Sequence, residues 1–323
     1  MPHFVTFWML LARPKPALSR PFAASFFSAL RRTLFIFTLL YVILSIVSCA
    51  VAFVTWDRAL GAQTPASYHL SYQNVSFPAA ADNLTLRGWF MPGKSQKAII
   101  MVHGRGSNRA DKEVFTLQFA ADLQRAGYNI LTFDLRGHGQ SDGLFSSFGQ
   151  FEQRDIIGAL RYLTSRGFAP EHIGVWAWSM GASATLMAMD DHDKLNTISN
   201  SLRVAVLDSA YADLNSQFEG VLQGFPSILV PGMEGAGRAL LGVNTTDVRP
   251  LDAIRRLHNA RLFLIHGLND NMVPSWNLSV LQQAGGANVV ESWLVPDAGH
   301  ALAYRSRPQE YASKVIAFFQ REL

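Results

Sequence analysis

The chain has 323 residues, of which only 16% are charged, and its formal net charge is +4. A charged fraction below the usual value of about 25%, with a mean hydropathy of +0.11, indicates a globular domain that carries an additional apolar segment. The basic excess lies in residues 1–32, which hold five basic residues and no acid, leaving 23 basic and 24 acidic residues elsewhere. This near-neutral body excludes an extended phosphate-binding face, so we expect no nucleic-acid partner.

Residues 33–55 form a run without a charged side chain, preceded by the basic arm at 1–32. As a helix this run is about 34 Å long, enough to cross a hydrocarbon core of about 30 Å. The basic residues before it predict a cytoplasmic N-terminus and a large domain on the opposite side of the membrane. The single cysteine, Cys49, lies in the run, so an internal disulfide is impossible.

A cleaved signal peptide would deliver the domain to the same side, as a secreted protein. The sequence Ala59-Leu60-Gly61 has the small-x-small form of a cleavage site. The long basic arm and the length of the apolar run favour an uncleaved signal anchor instead. Residues 56–67 are then a short polar linker, and residues 68–323 are the main domain.

Within 68–323 the pattern alternates between short apolar runs and amphipathic segments, after an initial hairpin. Strands followed repeatedly by helices predict a doubly wound, mostly parallel α/β sheet. The hairpin strands are 69–77 and 83–91; the later strands are 98–102, 129–133, 173–178, 204–207, 262–265 and 289–295; the helices are 112–125, 151–165, 181–189, 276–283 and 308–321.

Three residues at strand ends suggest nucleophilic catalysis. Ser179 lies in Ala177-Trp178-Ser179-Met180-Gly181, a strand-to-helix turn with small residues on both sides, although alanine stands where glycine is commoner. Asp270 and His300 follow two later strands. A serine hydroxyl needs a base to take its proton and a carboxylate to orient that base, and the order Ser, Asp, His suits this arrangement. Asp208, at the end of strand 204–207, is the rival carboxylate.

A glycine-flanked residue follows the strand at 98–102. The backbone N–H groups of Arg105 and Met180 are expected to bind the oxyanion of a tetrahedral intermediate. His103 is interpreted as a residue that shapes this loop. Arg136, His138 and Asp142 are interpreted as structural residues of a glycine-rich turn.

The ordered set of motifs resembles the α/β-hydrolase superfamily, in particular the serine aminopeptidase and monoacylglycerol lipase-like serine hydrolases. The motifs are HGRGSN, DLRGHGQSDG, AWSMG, HGLNDNMVP and a Gly-His pair, and they extend over most of 68–323. The resemblance implies Ser179 as nucleophile, Asp270 as acid, His300 as base, and Arg105 and Met180 as oxyanion donors. No histidine and carboxylate cluster has metal-ligand spacing and no G-x-G-x-x-G opens a helix after the first strand, so we expect no metal and no cofactor.

Residues from about 211 to 250 interrupt the strand–helix alternation and are expected to form a lid. Leu222 and Phe225 in this insertion are candidate substrate contacts; alternatively, its apolar residues only pack the insertion onto the domain.

The expected reaction is hydrolysis of a carboxylic ester or thioester with an apolar acyl group. A peptidase would need an acidic site for a peptide N-terminus, for which Glu219 and Glu234 are the candidates. A third alternative is a non-catalytic, membrane-tethered binding protein on the same scaffold. The oligomeric state is left open.

Overall fold

The computed structural model describes residues 20–190, 202–215 and 225–323, with side chains from residue 24 onward. Within these residues eight strands form one sheet in the order β1-β2-β4-β3-β5-β6-β7-β8. Strand β2 is antiparallel to both of its neighbours, and all later pairs are parallel. The strands are β1 Gln73–Pro78, β2 Thr85–Met91, β3 Ala98–Val102, β4 Asn129–Phe133, β5 Ile173–Trp178, β6 Val204–Asp208, β7 Arg261–Gly267 and β8 Val289–Val295.

Helices cover both faces of the sheet, which accounts for the continuous apolar character of its central strands. Every residue of β3, β4, β5 and β6 is buried. The main helices are α1 Arg20–Phe53, α2 Thr116–Arg125, α3 Glu152–Ser165, α4 Met180–Asp190, α5 Val230–Ala236, α6 Pro250–Arg256, α7 Trp276–Gly285, α8 Ala303–Ser306 and α9 Pro308–Glu322.

The core is divided by the sheet into two apolar clusters. One contains Ile156 of α3, Leu186 of α4 and Phe53 of α1, and the other contains Phe119 of α2 and Phe318 of α9. The chain alternates between strands and helices, and the helices pack on both faces of the sheet, which produces a three-layer arrangement. The predicted doubly wound fold is therefore confirmed, and strands β3, β4, β5 and β8 have the predicted bounds.

Two segments differ from their predicted form. Helix α1 is described from Arg20, well inside the basic arm, and ends at Phe53 rather than at residue 55. Residues 56–67 are bound to the domain, because the Arg58 guanidinium donates hydrogen bonds to the carbonyls of Gly139 (3.1 Å), Gly143 (2.9 Å) and Ser141. One guanidinium group can donate hydrogen bonds to several carbonyls at once. The prediction of a polar linker did not include these contacts.

Helix α1 contains a stretch long and apolar enough to cross a membrane, Ala24–Phe53, within which an 18-residue window has a mean hydropathy of 2.6. Its large apolar side chains are mostly exposed; Phe35, for example, is 68% exposed. The last turns differ, because Cys49, Ala52 and Phe53 are buried against the domain.

Candidate active site

Ser179 occupies the turn between β5 and α4. Its φ of +54° lies in the left-handed region, which is unfavourable for a residue with a side chain. The turn is held by a 2.8 Å hydrogen bond from the Ser179 N–H to the Asp208 carbonyl on the neighbouring strand. Strained backbone of this kind is found where a nucleophilic hydroxyl is presented at the top of a sheet.

The small residues that flank the serine are required by close packing. A Cβ atom at Gly181 would collide with the His103 carbonyl and lie 2.8 Å from the Val102 carbonyl. Ala177 is fully buried in the sheet between β3 and β6. Alanine therefore fits where the commoner motif has glycine.

The structure brings Ser179, His300 and Asp270 together from three loops at the carboxyl ends of β5, β8 and β7. His300 Nε2 lies 2.8 Å from Ser179 Oγ, and His300 Nδ1 lies 2.8 Å from Asp270 Oδ2. With the proton on Nδ1, the imidazole donates to the carboxylate and accepts from the serine hydroxyl. This is the geometry required for proton transfer away from the hydroxyl.

Asp270 is held by groups that favour its ionised form. Its Oδ1 accepts hydrogen bonds from the N–H groups of Met272 (2.9 Å) and Val273 (2.8 Å). Burial would raise the pKa of Asp270, but hydrogen bonds from His266 and His300 outweigh that effect and lower it below its usual value. The contact between His266 and Asp270 also raises the pKa of His266, although burial opposes this rise. Asp270 is thus a carboxylate at neutral pH.

Asp208 is in a different environment. Its side chain accepts hydrogen bonds from Ser209 Oγ (3.0 Å) and Tyr311 OH (3.1 Å) rather than from His300. Burial raises the pKa of Asp208 to about 6, although the Ser209 contact opposes the rise. Ser209 Oγ also accepts from the Ala301 N–H (3.0 Å), so this serine braces the histidine loop. Nothing in the sequence identified Ser209.

The loop after β3 lies against the serine. A Cβ atom at Gly104 would collide with the Trp178 ring and lie 3.0 Å from the Cβ of Ser179, so only glycine fits here without movement of the ring. Arg105 follows directly, and Met180 is the first residue of α4. The first N–H groups of a helix have no partner within it, and they attract negative charge.

The Arg105 side chain turns toward the end of α1. Its guanidinium donates a hydrogen bond to the Ala52 carbonyl and lies 4.6 Å from the centroid of the Phe148 ring. Burial lowers the pKa of Arg105. The Phe148 carbonyl in turn accepts a hydrogen bond from Tyr211 OH. The loop beside the nucleophile is therefore connected to the last turn of the apolar helix, a connection that the sequence did not indicate.

Two buried histidines hold the other side of this loop. His103 Nε2 accepts from the Leu135 N–H (2.9 Å), and His138 Nε2 accepts from the Gly106 N–H (3.1 Å). Burial lowers the pKa of both histidines to about 4, so both are neutral at pH 7. Their contacts fit the structural role expected of them.

Arg136 and Asp142 also make contacts within the framework. Arg136 forms ion pairs with Asp155 (2.7 Å) and Asp82 (2.7 Å). Asp142 Oδ2 accepts from the Thr85 N–H at 2.9 Å. Both side chains fix the turn after β4 to its neighbours.

The remaining candidates fall in the insertion. Leu222 and Glu219 lie outside the described residues. Phe225 is half-buried and packs against the same apolar cluster as Phe53. Glu234 accepts a hydrogen bond from Thr245 Oγ1 at 3.0 Å. Within 20–190, 202–215 and 225–323, no group of three or more histidine, cysteine or acidic side chains is placed to hold a metal ion.

The chain is similar to several known proteins. The chain is 25% identical over 284 residues to the uncharacterized protein YfhR of Salmonella typhimurium, covering 84% of this chain and 88% of the relative. It is 31% identical over 122 residues to the thiohydrolase aneE of Aspergillus aculeatus, covering 36% and 37%. The fold is similar to the esterase Pf2001 of Pyrococcus furiosus, with a TM-score of 0.67, 25% identity and coverage of 82% of this chain and 98% of that one.

Residues 99–314 match the Alpha/beta hydrolase family, and the matched region contains Ser179, Asp270 and His300. The match covers more than half of the chain and begins in β3. The chain belongs to the alpha/beta hydrolase family, and it is a hydrolase of that fold.

Proposed function

We propose that the protein is a serine hydrolase that cleaves carboxylic esters or thioesters through an acyl-enzyme intermediate. The observation that carries the proposal is the continuous hydrogen-bonded path from Ser179 Oγ through His300 to Asp270, with both distances at 2.8 Å. The similarity to an esterase and to a thiohydrolase supports this substrate class.

In the proposed mechanism Ser179 Oγ attacks the substrate carbonyl while His300 Nε2 takes the hydroxyl proton. Asp270 stabilises the imidazolium that forms, and the N–H groups of Arg105 and Met180 bind the oxyanion. Histidine returns the proton to the leaving alcohol or thiol. Water, activated by the same histidine, then releases the acid from the serine.

The test is the full-length protein assayed with p-nitrophenyl esters from acetate to octanoate, acyl thioesters and aminoacyl amides. We expect kcat/KM to rise with chain length, because each buried methylene contributes up to about 0.8 kcal/mol. Leu222→Asp and Phe225→Asp should flatten this rise if the insertion is a lid over the acyl chain. Preference for aminoacyl amides would favour a peptidase, and failure to react with a fluorophosphonate would favour a binding protein.

We further propose that α1 is an uncleaved single-pass anchor, with its N-terminus in the cytoplasm and the catalytic domain outside it. The exposed apolar surface of α1 and the basic residues Arg31 and Arg32 before residue 33 support this topology. Protease added to intact cells should degrade the domain, and the mature protein should retain its N-terminal arm. Degradation only after lysis would reverse the topology, and a mature N-terminus near Ala62 would identify a signal peptide.

A further inference from the structure

Residues 227–241, here called the lid segment, pack along α1. The lid segment consists of a short 3-10 turn, helix α5 and a π-helical turn at Gly237–Leu241. Tyr41 OH donates a hydrogen bond to the Ile228 carbonyl at 3.2 Å. The lid segment therefore contacts α1 far from the end of the helix, three turns before Phe53.

Small residues bring the two helices close together. A Cβ atom at Gly232 would collide with Ser45 Oγ and lie 2.9 Å from Tyr41 OH, and one at Gly237 would lie 3.2 Å from the Phe53 ring. Ser45 and Ser48 are each only 5% exposed. Close approach through small residues is the usual packing of helices within a bilayer.

The charges that flank α1 determine the depth of this contact. Arg31 and Arg32 cannot lie at low cost in the hydrocarbon core, so the core begins after them. From Arg32 to Phe53 the helix rises about 32 Å, which matches a core of about 30 Å. Trp56 follows and is 72% exposed, as expected of an interfacial aromatic residue. The part of α1 from Tyr41 to Ser48, about 11 Å long, thus lies within the core. Ala52 and Phe53, which contact Arg105 and Gly237, lie at its outer boundary.

The outer surface of the lid segment suits that depth. Ile228 is 74% exposed and Leu240 is 61% exposed. The segment has one acid and one base, and each has a hydrogen-bond partner in the loop that follows: Glu234 with Thr245 and Arg238 with Asn244. Its apolar residues continue the exposed apolar surface of α1.

We propose that the lid segment is embedded with α1 in the acyl-chain region of the bilayer leaflet on the catalytic-domain side. This inference rests on the proposed membrane anchor. The Phe53 ring packs at 5.6 Å from the Phe148 ring, which lies beneath Arg105, so the embedded unit reaches the loop beside the nucleophile.

Spin-label accessibility tests the proposal on the full-length protein in phosphatidylcholine–phosphatidylglycerol nanodiscs. In a Cys49→Ala background, single cysteines replace Ile228, Leu240, Phe37 and Leu294. Phe37 is the bilayer reference, and Leu294 on β8, 41% exposed, is the matched apolar reference on the domain. Relaxation is measured with oxygen, which concentrates in the bilayer, and with a water-soluble nickel chelate.

We expect labels at 228 and 240 to resemble the label at Phe37, with at least a fivefold higher oxygen-to-nickel ratio than at Leu294. Nickel accessibility at 228 and 240 equal to that at Leu294, with Phe37 protected, would overturn the lid inference and leave the anchor intact. Nickel accessibility at Phe37 as well would overturn the anchor itself. Fluorophosphonate labelling of each variant reports separately on the serine hydrolase proposal.

Discussion

The assignment of Asp270 rather than Asp208 as the acid can be tested with two asparagine variants. Asp270→Asn keeps a carbonyl oxygen for the N–H groups of Met272 and Val273, so the loop should fold. What the variant loses is the negative charge 2.8 Å from His300 Nδ1. This charge matters most when the imidazole carries the proton of the serine.

The expected loss follows from that distance. At an effective dielectric constant of about 20, a charge pair 2.8 Å apart interacts by about 6 kcal/mol. Partial exposure of His300 reduces this value, and a loss of about 4 to 5.5 kcal/mol corresponds to a fall in kcat of about 10³- to 10⁴-fold. Asp208→Asn should lower kcat less than about tenfold, because its side chain binds Ser209 and Tyr311 instead.

The assay is steady-state hydrolysis of p-nitrophenyl butyrate by purified variants in the same detergent, with thermal unfolding as the control for folding. If equally folded Asp208→Asn is the more impaired variant, the acid is Asp208 and the reasoning from hydrogen-bond geometry is wrong. Equal loss in both variants would mean that the negative charge acts through the general field of the site rather than through one contact.

Other predictions follow from the same contacts. Ser179→Ala and His300→Ala should each lower kcat by at least about a thousandfold, and the double variant should be little worse, because the residues act as a unit; a tenth of the activity remaining in Ser179→Ala would refute the assignment. Arg105→Ala should lower kcat more than it raises KM, because the proposed oxyanion loop loses its hydrogen bond to the Ala52 carbonyl. Arg105→Lys should restore part of kcat, and a change in KM alone would exclude this positioning role. Burial raises the pKa of Asp208 to about 6, so ionisation of this group destabilises the fold. The stability of the wild type relative to Asp208→Asn should therefore fall by about 2 kcal/mol as the pH rises from 4 to 6; a constant difference in thermal unfolding would contradict this.

The central fold could be predicted because its signals are local. The runs that became β3, β4 and β5 are short, apolar and followed by turn residues, and each has the bounds expected of it. The second helix was less well predicted, beginning at Thr116 instead of residue 112. There Asp111 caps the preceding turn through the N–H groups of Glu113 and Val114, so the chain makes a turn before the helix starts.

The candidate site was only partly visible in the sequence. Ser179, Asp270 and His300 follow strand ends, and parallel strands bring such positions to one edge of a sheet. Ser209, by contrast, matters because its hydroxyl reaches the Ala301 N–H on a loop more than ninety residues away. A contact of that kind depends on the tertiary structure, and no local spacing encodes it.

The end of the apolar helix makes contacts with the domain that the sequence did not predict. Hydropathy alone predicts a membrane anchor followed by a linker that makes no contact with the domain. In the structure the Phe53 carbonyl accepts the Ser146 N–H at 2.8 Å, Ala52 accepts Arg105, and Arg58 binds the carbonyls of the turn after β4. Cleavage near Gly61 would remove all three connections and uncover the apolar surface beneath Phe53. The loop that we propose to bind the oxyanion is held by the contact with Ala52, which gives the chain a physical reason to keep its N-terminal helix.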